Sequence, residues 1–334
     1  MSFDIWNRRY TGSKLKLIDW IDELINKNCK GKSFCDIFAG TGIVSFKEIE
    51  KFDHIIINDF LYSNNVIYNA FFLQENYDLE KLQNFINNTR KSIENIQDNF
   101  FSINYGGKYF SYNDCKIIGN IRNDIEKYKN EFNKKEYCIL IASLLYSADK
   151  ISNTVGHYDA YIKGKEIKDK FIFELIKPYI FENKIIDIYR IDSNKLAEQI
   201  KCDIVYIDPP YNSRQYSRFY HILETLTKWD NPKLTGEALK PPGENMSNYC
   251  RSSAKNVFDD LISKLNCKYI VVSYNNTYNS KSKSSKNKIE YEDIVKSLQN
   301  RGEVDIFSKK HQFFNAGKTD FQDHKEFLFI TKVG

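Results

Sequence analysis

The sequence lacks any CxxC pair, and its seven cysteines (29, 35, 115, 138, 202, 250 and 267) are scattered. An odd number of dispersed thiols without metal-ligand spacing argues against a disulfide framework and against a zinc site. It predicts reduced cysteines in a cytoplasmic protein with no metal. No apolar run approaches the length of a membrane span, and the opening MSFDIWNRRY has no signal-peptide core. No internal repeat is visible. A glycine-rich dinucleotide fingerprint is also incomplete, because Ser45 stands where a third glycine would fall. That speaks against a nicotinamide cofactor and leaves room for a nucleoside with no pyrophosphate to cradle.

What is present is ordinary in bulk. The 334 residues suffice for one domain with an insertion, or for two domains, and 42% hydrophobic with 28% charged residues suits a globular fold. A net charge of +5 and a pI near 8.6 permit a polyanionic partner without requiring one. Aromatic content is high, with 23 Tyr and 24 Phe. A large core in an AT-rich coding sequence accounts for this, and so does stacking against bases. Composition leaves both readings open.

The order of elements is more informative. A helical stretch over 15–25 precedes a strand at 34–38, a break at Ala39-Gly40-Thr41-Gly42, a helix over 43–50 and a strand at 54–58 ending in Asp59. Strand, glycine turn, helix, strand and acid make half of a nucleotide-binding α/β sheet. From about 61 to 184 polar and aromatic residues recur at helical spacing, as in Leu79-Leu82-Phe85-Ile86 and Ile139 to Leu145, which predicts a mainly helical insertion. Strands resume at 185–191 before Asp192 and at 203–207 before Asp208. Further strands are expected at 269–273 and 326–331, with helices over 220–228, 254–265 and 290–300. The run SKSKSSKNK at 280–288 reads as a basic loop that either touches phosphates or is merely solvated.

Three places carry chemistry. Glycines in the turn Phe38-Ala39-Gly40-Thr41-Gly42 let a ligand approach the backbone, and an acid at Asp59 suits ribose hydroxyls. A simple tight turn and a solvated strand-end acid are the plainer alternatives. Asp192-Ser193 would read the edge of a bound adenine, or cap the helix that follows, or do both. The third place is Asp208-Pro209-Pro210-Tyr211, where two prolines stop an apolar strand. An ionised Asp208 and the Pro209 carbonyl offer two fixed acceptors for an exocyclic amino group, and Tyr211 offers a stacking face. Two acceptors on the hydrogens of an adenine amino group localise its nitrogen lone pair toward an electrophile. That is catalysis by positioning and electrostatics, with a cationic methyl donor supplying the electrophile.

In order and in sequence these motifs resemble the DNA adenine-N6 methyltransferases that use S-adenosylmethionine, of the type whose cofactor motif precedes the catalytic one. The resemblance rests on Tyr10-Thr11-Gly12-Ser13-Lys14, the turn at 38–42, Asp59 and Asp208 to Tyr211, with Asn212-Ser213-Arg214-Gln215-Tyr216 similar to the segment that follows in restriction-associated members. It implies a Rossmann-like mixed-sheet methyltransferase core of class α/β, formed by residues 1–61 and 185–334, with 62–184 as a helical target-recognition domain. It implies cofactor contacts at Tyr10, Gly12, Lys14, Phe38, Ala39, Gly40, Gly42, Asp59, Asp192 and Ser193. Asp208, Pro209, Pro210 and Tyr211 would be catalytic. The partner would be double-stranded DNA whose target base is flipped out, with a cognate restriction endonuclease as an accompanying protein and not a required subunit. In the insertion, Tyr105, Lys108, Arg122 and the run Gly156 to Lys163 are candidates for DNA contact, though most suit ordinary helix and loop surfaces. His157 suits a structural or DNA-contacting role better than acid–base work. Methylation of RNA adenine or of cytosine N4, and a non-catalytic DNA-binding relative, are the competing expectations.

Overall fold

The computed structural model describes residues 3–91, 96–211, 213–276, 289–310 and 324–334. The basic run 280–288 and Asn212 lie outside the described residues. The chain forms two compact units. One comprises Met1–Gly12, Leu61–Phe181 and Tyr216–Glu244; the other comprises Ser13–Phe60, Glu182–Gln215 and Asn245–Gly334.

The second unit holds a seven-stranded mixed sheet. Its strands are β1 (Ser33–Asp36), β2 (His54–Asn58), β3 (Ile185–Tyr189), β4 (Ile204–Ile207), β5 (Tyr269–Asn275), β6 (Gly302–Lys310) and β7 (Lys325–Val333), in the spatial order β3-β2-β1-β4-β5-β7-β6. The first five are parallel, and β7 runs antiparallel to both β5 and β6. Helices cover the sheet, so the central strands bury both faces and read as unbroken apolar runs, as in Ile204-Val205-Tyr206-Ile207. Ile37, Ile56, Val205, Ile207, Ile270, Val272 and Phe329 pack with Phe258 and Leu261 of helix Ala254–Lys264 and Ile294 and Leu298 of helix Tyr291–Gln299.

Strand order reverses between β1 and β4. The chain leaves β1 toward β2, whereas β4 leads away to β5, which makes their carboxyl ends the switch point at which open α/β sheets bind ligands. Strand β6 was not expected from sequence. It is an edge strand whose residues are all at least partly exposed, and its Glu, Asp and Lys residues break the apolar signal while discouraging edge-to-edge pairing.

The first unit is helical. Its longest helix, Lys134–Ile151, is buried on nearly all sides and starts at a capping box in which Asn133 and Glu136 satisfy each other's backbone N–H groups. Helices Tyr62–Phe72, Leu79–Lys91, Phe100–Tyr105, Tyr112–Lys127 and His221–Lys228 complete it, with a short turn of helix at Tyr216–Phe219. This partition differs from the expected 62–184 boundary by also including Met1–Gly12 and Tyr216–Glu244. Aromatic stacking explains the difference. Tyr10 lies against Tyr220 at 4.8 Å and Tyr216 at 5.4 Å between ring centroids, and the Thr11 amide donates to the Tyr220 hydroxyl.

Candidate active site

The parallel strands end on the same side, and their carboxyl ends carry most of the residues singled out above. After β1 the chain turns through Ala39 to Gly42. Gly40 and Gly42 hold φ of 53° and 77°, the left-handed region that an L-residue with a Cβ enters only with strain. Gly42 is the N-cap of helix Ile43–Glu48, and the turn closes with a hydrogen bond from Gly42 N–H to the Ala39 carbonyl. From below, Asp36 holds the turn. Its Oδ2 accepts from both the amide and the hydroxyl of Ser45, at 3.2 and 2.8 Å. Burial, with the nearby carboxylates of Asp208 and Asp59, pushes the Asp36 carboxyl up to about 7, against the pull of the Ser45 hydrogen bonds.

From the side, Asp59 holds it, its carboxylate accepting from the Gly40 amide at 3.0 Å. The preceding residue, Asn58, is buried and acts as a crosslink. Its side-chain amide donates to the carbonyls of Ile37 and Ile191 and accepts from the Ile191 amide, each at 3.1 Å. The ends of β1, β2 and the segment after β3 are thereby fixed, and Asp59 and Asp192 keep their places. Asp192 itself caps helix Ser193–Ala197, its Oδ1 accepting from the amides of Asn194 and Lys195. Ser193 is buried with its hydroxyl on the Asn194 side chain, and Asn194 in turn accepts from the Tyr249 hydroxyl. Phe38 sits edge-on to the Tyr249 ring at 5.0 Å.

On the neighbouring strand β4, Asp208 follows Ile207 directly. Pro209 is buried, Pro210 half-buried and Tyr211 buried against the ring of Tyr274 at 5.4 Å. Lys14 belongs to this group. Its ammonium lies 3.0 Å from Asp208 Oδ1 and 2.8 Å from Glu326 Oε1, donates to the Tyr211 hydroxyl at 2.5 Å, and lies over that ring. Burial disfavours charge on Lys14, yet Asp208 and Glu326 outweigh it and hold its pKa above the ordinary lysine value. For Asp208, burial comes first and raises the pKa, Lys14 lowers it, Glu326 raises it again, and the result is about 6.

Of the residues expected at the site, Lys14, Phe38, Ala39, Gly40, Gly42, Asp59, Asp192, Ser193 and Asp208 to Tyr211 fall in the sheet unit, and Tyr10 and Gly12 fall in the helical unit. Glu326, Ser273, Asn58 and Asp36 were missed. Asp36 and Asn58 had a signal, since each is a polar residue attached to a buried apolar strand. Among the described residues, no group of three or more His, Cys, Asp and Glu side chains is arranged to hold a metal ion, and no helix is long and apolar enough to cross a membrane.

A glycine turn after β1, an acid after β2 and an Asp-Pro-Pro-Tyr after β4 share one sheet edge, and the sequence model of the D12 class N6 adenine-specific DNA methyltransferases matches residues 10–289. The chain belongs to this family. It is 30% identical over 336 residues to type II methyltransferase M.NlaIII of Neisseria lactamica, covering 95% of each chain. To type II methyltransferase M.CviAII of Paramecium bursaria Chlorella virus 1 it is 31% identical over 342 residues, covering 97% of this chain and 98% of that one. Modification methylase LlaI of Lactococcus lactis subsp. lactis is 34% identical over 293 residues, or 80% of this chain and 46% of LlaI. The chain thus spans about half the length of LlaI and nearly all of the other two. A D12 methyltransferase implies a methyl donor and a DNA substrate.

Proposed function

We propose that this D12 methyltransferase transfers the methyl group of S-adenosylmethionine to N6 of an adenine within a specific duplex sequence, as the modification partner of a restriction endonuclease that is not its subunit. The observation that carries the proposal is the adjacency of two strand ends at the switch point. The glycine turn after β1 and the Asp208 carboxylate after β4 stand side by side.

The residues fit the cofactor. Gly40 and Gly42 present backbone without side-chain obstruction, Phe38 and Ala39 flank them, and Asp59 brings a carboxylate to where a ribose would lie. We assign Asp192 to the adenine end. Ser193 is buried against Asn194, so we assign it packing and no ligand contact. Tyr10, stacked in the helical unit, is assigned to holding the first segment in place. When bound, the cofactor supplies a methyl carbon made electrophilic by its sulfonium.

Asp208 accepts from the adenine amino group together with the Pro209 carbonyl, and Tyr211 offers its ring to the base. These acceptors orient the N6 lone pair and stabilise the positive charge that develops on nitrogen. No strong base is needed, because the methylated amino group is acidic and sheds its proton readily. Reaching N6 requires the adenine to leave the duplex, at a cost of a few kcal/mol. The helical unit is the part of the chain we assign to target recognition, and a cytoplasmic location follows from a DNA substrate.

The test is a transfer assay with labelled S-adenosylmethionine on duplex DNA and on RNA. N6-methyladenine in duplex DNA alone is expected. With Asp208→Ala, methylation should fall by about 10²–10³-fold, the scale of losing one preorganised electrostatic contact, while cofactor binding persists. Product in RNA, product at cytosine N4, or an undiminished Asp208→Ala rate would overturn the proposal.

A further inference from the structure

The buried ammonium of Lys14 is shared between two carboxylates, one of them far from any recognised motif. Glu326 lies at the start of β7, where it pairs with Asn275 of β5. The Ser273 hydroxyl, also on β5, donates to Glu326 Oε1 at 2.8 Å, and Lys14 reaches the same oxygen. Ser273 follows Val272, the β5 partner of Ile207, just as Asp208 follows Ile207 itself. The network therefore spans β4, β5 and β7, with Glu326 reaching diagonally to Ser273 from its position opposite Asn275. Only 5% of the Lys14 side chain and 3% of the Glu326 side chain are exposed, against 14% for Asp208.

We infer that Glu326 is a positioning residue for methyl transfer, acting through Lys14 so that Asp208, which Lys14 keeps ionised, stays basic enough to accept from the target amino group. The inference rests on the function proposed above. Its physical argument has two halves. Without Lys14, an Asp208 this buried would take up a proton and lose its acceptor role. With Lys14 devoted to Asp208 alone, the carboxylate would be neutralised by its own partner and would bind an incoming N–H weakly. Glu326 takes part of the ammonium's hydrogen bonding and adds a second negative charge, so Asp208, still ionised beside Lys14, regains acceptor strength. Ser273 fixes the Glu326 rotamer.

Among the described residues, the charged and titratable groups facing Asp208 are Lys14, Glu326 on β7, Tyr206 on β4, Asp36 on β1, Tyr274 on β5 and Tyr211 in its own turn. Burial and Glu326 hold Asp208 near 6 despite Lys14. Asp36 titrates near the same range but is common to wild type and variants, so differences among them isolate the triad.

The test follows single-turnover methylation against pH, together with the carbon-13 carboxyl titration of Asp208, in wild type, Glu326→Gln and Lys14→Met. Glutamine keeps an acceptor for Ser273 while removing the charge. In Glu326→Gln the acid limb and the Asp208 titration should both move down by about 0.5–1 pH unit, with a several-fold lower plateau rate and an unchanged KM for DNA. In Lys14→Met both should move up by about 1–3 units. Glu326→Asp, which restores the charge, should return the limb toward wild type. Should Lys14→Met fail to fold, Glu326→Gln and Glu326→Asp decide alone. Limbs that coincide with wild type, or a fall in melting temperature with no displacement of the Asp208 titration, would overturn the inference. The carboxyl titration needs no turnover. An inactive wild type would therefore defeat the proposed function, while the resonance still decided the triad.

Discussion

Gly40 donates its amide to the Asp59 carboxylate at 3.0 Å, so the residue proposed to hold a ribose also holds the turn proposed to admit the cofactor. A carboxylate has several lone pairs, and accepting one backbone N–H leaves acceptor capacity for ligand hydroxyls. Asp59→Ala should remove both contributions and weaken S-adenosylmethionine binding by about 1–3 kcal/mol. Asp59→Asn keeps a carbonyl acceptor for Gly40 and should lose less. Calorimetric titration of the three proteins tests this, and equal affinities would remove Asp59 from the cofactor site.

The same pair shows what was legible in the sequence. A glycine turn and the acid that closes the next strand are local patterns, and so is Asp208-Pro209-Pro210-Tyr211, because two prolines end a strand in any context. Strands β1 to β5 lie close to the expected 34–38, 54–58, 185–191, 203–207 and 269–273. Lys14 was read as a ligand contact from its motif alone. Its engagement with Asp208 and Glu326 depends on the register of β7 beside β5, three hundred residues along the chain, and no local pattern encodes that. Long-range aromatic contact likewise assigned Tyr10, Tyr216 and Tyr220 to the helical unit. Asp192 was read as a cap, a ligand contact or both, and the structure shows the cap, which leaves the second role open to it.

Arg122, expected to be a surface or DNA-contacting residue, is instead fully buried in the helical unit. Its Nε donates to the Leu226 carbonyl at 2.7 Å and its Nη2 to the Thr227 carbonyl at 3.2 Å, satisfying the C-terminal end of helix His221–Lys228. Nη1 pairs with Glu126 at 3.1 Å, and the guanidinium lies over Trp229. Helix ends leave carbonyls without intrahelical donors, and a cation there also complements the helix dipole. Arg122→Met would strip those carbonyls of donors in the core. We expect it to destabilise the fold by about 3 kcal/mol, seen as a lower urea midpoint with cofactor affinity retained. A stable variant that has lost only DNA binding would instead return Arg122 to the substrate interface.

Glu48 closes the helix that begins at Gly42, and its side chain is wholly buried. Burial, opposed by Lys47 and reinforced by Asp36, pushes its carboxyl from the ordinary value of 4.5 up to about 8. A folded-state pKa above the unfolded one means that the native state holds a proton the unfolded chain has released. The neutral carboxyl's stabilising contribution is therefore complete below pH 4.5 and is lost as pH rises toward 8. Glu48→Gln keeps the shape and has no proton to lose. Its melting temperature should match wild type near pH 4 and exceed it at pH 8, by an amount equivalent to about 4 kcal/mol. The ammonium of Lys51 lies 3.6 Å from Glu48 Oε2 and also pairs with Asp22, so an ionised Glu48–Lys51 pair is the alternative state. Thermal melts across this range separate the two, since an ionised and paired Glu48 would make the glutamine variant the less stable protein at pH 8.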